Sequence, residues 1–182
     1  RNILVTRDFS PVPFQTEPSL AVDPKDPEHI LLGVIDYNFR GVTTYNSIDG
    51  GATWEGPSQV KYPPDDAISA GDPVLAFDRD GIAYVAQISL ALEDFRVGPA
   101  ASTEVISAIP VSKSKDGGTT WEEPIASVRE HIDSKQLPDN EINAYEYQLS
   151  VPFLDKPWIS IGPNKEDPTK DIIYVSYTKF VS

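Results

Sequence analysis

The sequence predicts an all-β fold, a β-propeller of four-stranded antiparallel blades. Three observations lead there. An octapeptide occurs twice, as Ser-Ile-Asp-Gly-Gly-Ala-Thr-Trp at 47–54 and as Ser-Lys-Asp-Gly-Gly-Thr-Thr-Trp at 114–121. A unit of proline, short apolar strand, polar turn and second apolar strand occurs three times, opening at Pro18, Pro73 and Pro157. No stretch with helical spacing and caps competes with these strands, which are rich in Val, Ile, Tyr and Phe. A β-sandwich also uses short strands and frequent turns and is the alternative, but tandem repetition favours the propeller.

Residues 1–16 form an N-terminal segment, in which Asn2–Thr6 could supply the outer strand of a last blade and close a ring. The first blade occupies 17–62. Its strands are expected at Glu17–Asp23, Ile30–Asp36 and Gly41–Ser47, with a fourth from Trp54. The second occupies 72–128, with strands at Asp72–Asp78, Ile82–Ser89 and Glu104–Ser114 and a fourth from Trp121. A long loop covers 129–155, and 156–182 holds the first half of a third blade, with strands at Lys156–Gly162 and Ile172–Thr178. Proline is expected at each unit's first strand position, where no ladder donor is lost. Two and a half blades do not close a ring. The remaining blades, for a propeller of six, are expected from the same chain or a second one.

Composition narrows the function. The 182 residues carry 15 Lys and Arg against 28 Asp and Glu, a formal net charge of −13. Such a surface repels nucleic acid and anionic membranes. No apolar run is long enough to span a bilayer as a helix, so no membrane insertion is expected. There is no Cys, which excludes thiol chemistry and disulfides, and the two His, His29 and His131, are too far apart for a local zinc motif. A Ser–His–Asp triad lacks a nucleophile-elbow context.

The octapeptide reads as a turn between the third and fourth strands. Gly50, Gly51, Gly117 and Gly118 allow backbone angles that a Cβ opposes. Asp49 and Asp116 can accept turn N–H groups, the hydroxyls of Ser47, Ser114, Thr53 and Thr120 add hydrogen bonds, and Trp54 and Trp121 cover the hairpin. The opposite face collects the long connections: Tyr62–Gly71, Leu90–Thr103 and Arg129–Asp155. Long loops carry function more often than tight turns, so a ligand is expected there. Glu17, Asp72, Asp155 and Lys156 could rim a central channel at the strand-one openings, with Asp36 and Arg40 beside them and Tyr145 and Tyr147 on the longest loop. No cofactor is required. Calcium is the ion this rim could hold, through Asp72 and Asp155.

Ser-x-Asp-Gly-Gly-x-Thr-Trp is similar to the Asp-box, or BNR repeat, of the sialidase-like superfamily. Asp155–Pro163 and Gly71–Gly81 resemble blade openings of its bacterial exported members. The resemblance implies a propeller in an exported protein (extracellular, periplasmic or cell-surface), directed at a glycan by binding or glycoside hydrolysis. Members that cleave sialic acid grip its carboxylate with three arginines, the first in an Arg-Ile-Pro motif. Thr16-Glu17-Pro18 stands there instead, which argues against sialidase activity itself. Asp36 is the candidate acid/base by position. The alternative is a non-catalytic propeller that serves as a protein-interaction or adhesion module.

Overall fold

A computed structural model describes residues 2–6, 12–97, 100–136 and 147–181. It is all-β among them, and no sheet closes into a barrel. The first sheet runs in simple order through β1 (Gln15–Val22), β2 (Ile30–Asp36), β3 (Val42–Ser47) and β4 (Glu55–Gln59). The second repeats it with β5 (Ile68–Phe77), β6 (Ala83–Val97), β7 (Ala100–Ser114) and β8 (Ile125–Arg129). All neighbouring pairs are antiparallel. Then come a small pair, β9 (Asp133–Gln136) with β10 (Tyr147–Ser150), and a hairpin, β11 (Phe153–Pro163) with β12 (Asp171–Phe180).

The three units stack face to face. Leu31 and Val42 of the first sheet pack on Leu75, Ala83, Val85 and Trp121 of the second. The other face of the second sheet, with Val74, Ala86, Ile88 and Ile109, packs on Leu154 and Ile159 of β11. Alternation decides these partners. Val74 and Leu75 are adjacent in a strand, so they point to opposite sides and enter different cores.

Four expectations about the chain path need correcting. The prolines do not open their strands. Pro18, Pro73 and Pro157 sit inside β1, β5 and β11, at register shifts in each ladder. A bulge leaves a residue unpaired, so the missing proline N–H is tolerated there as well as at a strand end. Leu90–Thr103 is not mainly a loop: β6 and β7 stay paired from Leu90↔Ser107 out to Val97↔Ala100. Thr103 Oγ1 donates to Asp94 at 2.5 Å across that arm. The 129–155 segment is likewise not all loop, since β9, β10 and the start of β11 lie within it. Asn2–Thr6 forms no strand; Leu4, Val5 and Thr6 line a cleft on the outer face of the first sheet.

Candidate functional site

The two octapeptides fold alike. Ser47 Oγ accepts from Gly51 N at 2.9 Å and Ser114 Oγ from Gly118 N at 2.8 Å. Asp49 Oδ1 accepts from Thr53 N at 2.8 Å and Oδ2 from Thr53 Oγ1 at 2.6 Å. Asp116 and Thr120 repeat both distances. Hydrogen bonding to the charged form lowers a carboxyl pKa. Thr53, first through its hydroxyl and then its N–H, brings Asp49 down to about 2, with help from Ser47. Desolvation is the largest single influence on Asp116 and raises it, but Thr120 and Ser114 together outweigh that and lower it. Three of the roughly four lone-pair sites of each carboxylate are thereby used within its own turn.

The second octapeptide does something its sequence does not announce. It fastens one sheet to the other. Trp121 Nε1 donates to Thr44 Oγ1 of β3 at 3.0 Å, and that hydroxyl donates to Gly118 O at 3.2 Å. The His29 ring, in the β1–β2 turn, lies 3.2 Å from both Asp23 Oδ2 and Gly117 O. The fit is close: a Cβ on Gly118 would lie 2.3 Å from Leu31 Cδ1, and one on Gly117 2.7 Å from His29 Cε1. Trp54 has no such role. Its N–H returns to Gly51 O of its own turn at 3.2 Å.

On the other side, the pre-proline irregularities of β1, β5 and β11 converge. Lys156 Nζ lies 2.5 Å from Glu17 Oε2 and 3.3 Å from Asp72 Oδ2. These three residues hold the same place in the three units, each directly before its proline. Each has a left-handed backbone, with φ of 50° at Glu17, 48° at Asp72 and 48° at Lys156. Such angles are unusual for non-glycine residues and cost on the order of 1–3 kcal/mol each. Three equivalent outliers therefore aim three charged side chains at one point. The Glu17 hydrogen bond acts most strongly on the Lys156 ammonium and, with Asp72, holds it above the usual lysine value against slight desolvation. A cleft of about 300 Å³ lies beside the triad, walled by Pro18, Leu20, Pro73, Pro157 and Trp158. Trp158 is 66% exposed.

The other expected site residues fall elsewhere. Asp155 Oδ1 accepts from Lys156 N at 2.8 Å and so props the backbone of the triad lysine. Asp36 is buried and lines the separate cleft on the outer face of the first sheet. Arg40 is exposed on the β2–β3 connection. Tyr147 opens β10, and Tyr145 lies outside the described residues. Among the described residues, no three Asp, Glu or His side chains group as a metal site. No helix among them is long and apolar enough to cross a membrane.

One buried charge escaped the sequence reading. Asp66, in the connection before β5, has no exposed side-chain surface. It meets Arg129 Nη2 at 2.5 Å and accepts from Ser89 Oγ at 2.5 Å. Its partners lie 63 and 23 positions away in the chain, so no local motif marks them.

No family model matches the sequence, and no curated protein matches it. A crystal structure of a protein of unknown function from Dyadobacter fermentans DSM 18053 is similar at 18% sequence identity, with a TM-score of 0.46. The similarity covers 99% of this chain and 54% of that one, so this chain spans about half of that protein's length.

Proposed function

We propose that the chain is part of a sialidase-like propeller of an exported protein, and that it binds a neutral glycan at the Glu17–Asp72–Lys156 rim. The reading rests on one observation: three equivalent pre-proline residues converge beside an exposed indole. Carboxylates and an ammonium offer acceptors and donors to sugar hydroxyls. The flat face of Trp158 suits the apolar C–H face of a pyranose ring. No arginine lines this cleft, and two carboxylates against one ammonium leave it negative, which disfavours an acidic sugar.

Binding, rather than hydrolysis, is the activity assigned. A glycosidase needs two carboxyl groups placed across a scissile bond. Here both rim carboxylates are engaged with one lysine. The protein-interaction reading draws on a wider feature, the same Trp158 together with exposed Tyr174 and Phe180 of the β11–β12 hairpin.

Glycan-array screening followed by calorimetry tests the proposal. Neutral oligosaccharides should bind, sialylated ones should bind more weakly, and Lys156→Ala and Trp158→Ala should each cost roughly ten-fold in affinity, the size of one good polar or stacking contact. Preference for sialylated ligands, affinity unchanged in both variants, or no binding to any sugar would overturn it.

A further inference from the structure

A cleft of about 440 Å³ lies between the second and third units. Tyr84 of β6, Val111 of β7 and Ile125 of β8 form one wall, and Ile173 and Val175 of β12 form the other. Ile125 is 77% exposed. The cleft is continuous with the core between these units, because Val111 and Val175 also pack at the margin of that core.

The internal repeat shows what such a surface holds. Thr44 stands three residues before the serine of the first octapeptide, and Val111 three before the serine of the second. Ladder register agrees: Leu31↔Asn46 and Gly33↔Thr44 in the first sheet correspond to Tyr84↔Lys113 and Ala86↔Val111 in the second. Leu31 and Thr44 therefore present to the second unit the surface that Tyr84 and Val111 present to the third. On the first sheet the second octapeptide covers that surface. Its Trp121 is 5% exposed, donates to Thr44 Oγ1 and packs with Leu31 and Val42. On the second sheet the same surface is the wall of the cleft.

The edge of β12 points to the same occupant. β2 and β6 pair on both sides, whereas β12, at the same place in the third unit, pairs only with β11 among the described residues. Permanent sheet edges are commonly short or interrupted by proline. The outer edges of the first two sheets follow that rule: β4 and β8 have five residues each, and β4 contains Pro57. β12 has ten residues, no proline or glycine, and charges only at Asp171 and Lys179 near its ends. It has the make-up of an inner strand. A strand laid antiparallel along its free edge, running towards Asp171, turns directly beside the cleft.

We infer that the β12 edge and this cleft together bind a two-stranded hairpin whose turn reads Ser-x-Asp-Gly-Gly-x-Thr-Trp. Its first strand pairs with β12, and its tryptophan sits on Tyr84 and Val111. Val111 lacks the hydroxyl of Thr44, so apolar contact rather than an indole hydrogen bond holds the ring there. The inference rests on the propeller part of the reading above and names the partner that this face takes; backbone pairing supplies affinity and the cleft supplies selectivity.

A synthetic peptide of residues 104–129, which carries such a hairpin, is the probe on the unmodified protein. Hydrogen exchange across Asp171–Phe180, read by mass spectrometry, should slow roughly ten-fold at saturating peptide. Calorimetry should show roughly ten-fold weaker binding for the peptide with Trp121→Ala. Ile125→Asp in the protein, at an exposed position, should weaken binding several-fold with the circular dichroism spectrum retained. Unchanged exchange across β12, or unchanged affinity in Ile125→Asp, would overturn the inference. Equal affinity of the two peptides would overturn it too, since the edge alone would then bind. So would protection of β12 that needs no peptide and grows with protein concentration, the mark of a second copy on that edge. No sugar enters these measurements, so their failure is separate from failure of the glycan reading.

Discussion

Asp49 shows how a residue that looks catalytic is consumed by a turn. Its two oxygens serve Ser47 and Thr53, and that service is what lowers its pKa to about 2. The sign of the pH effect follows. A carboxyl whose folded value lies below its ordinary 3.8 stabilises the fold fully above 3.8, and the contribution is lost as pH falls towards 2. Asp49→Ala should therefore melt below the unmodified protein at pH 7. The gap should stay constant down to about pH 5 and narrow between about pH 4 and 2, as read from thermal unfolding at a series of pH values. A gap independent of pH across that range would mean that the charge of Asp49 contributes nothing to the turn. The same residue-scale view explains what could be read ahead of the structure. The Ser, Asp, Gly and Thr positions of the octapeptide bond within eight residues, so a local string encodes them. Glu17, Asp72 and Lys156 can be grouped from the sequence because proline follows each one, but their mutual pairing spans up to 139 positions and has no local signature.

Among the elements, strand pairs were the most legible and inter-sheet contacts the least. β2 lies where the apolar run Ile30–Asp36 put it, and β3 starts one residue later than expected. The outer arm of β6–β7 reads as a loop because full burial ends at the Ala91↔Ile106 pair. Leu92 is 64% exposed and Val105 45%, so the pattern carries no burial signal even though the backbone pairs throughout. The role of Trp121 was hidden for the opposite reason. Both tryptophans end identical turns, and only packing tells which one reaches a neighbouring sheet. Trp121→Phe should cost about 1–3 kcal/mol, from a lost hydrogen bond to buried Thr44 and the volume vacated around Leu31 and Val42. Trp54→Phe should cost well under half of that, because its N–H bond is internal to the turn and its ring borders an open cleft. Urea unfolding with an unchanged denaturant slope measures both. Equal losses would remove the inter-sheet role assigned to Trp121.

For the whole molecule, charge and layering pull in opposite directions. The stacked units are joined by ion pairs at several places. Arg79 in the β5–β6 turn donates to Asp171 through Nε at 2.7 Å and to Pro168 O at 2.8 Å, and Lys179 reaches Glu130 at 2.8 Å. These pairs are partly or fully exposed, and exposed pairs contribute little and are screened by salt. Against them stands the excess of 13 negative charges over 182 residues, whose mutual repulsion favours the expanded chain. Repulsion acts over the whole surface, while each pair acts across a few ångströms, so screening should relieve more than it removes. Raising ionic strength from about 0.01 M to about 0.15 M shortens the Debye length from about 30 Å to about 8 Å. The melting temperature should rise over that range and level off beyond it, as followed by scanning calorimetry. A fall would mean that the ion pairs between layers, the rim triad among them, hold the stack together more strongly than the net charge forces it apart.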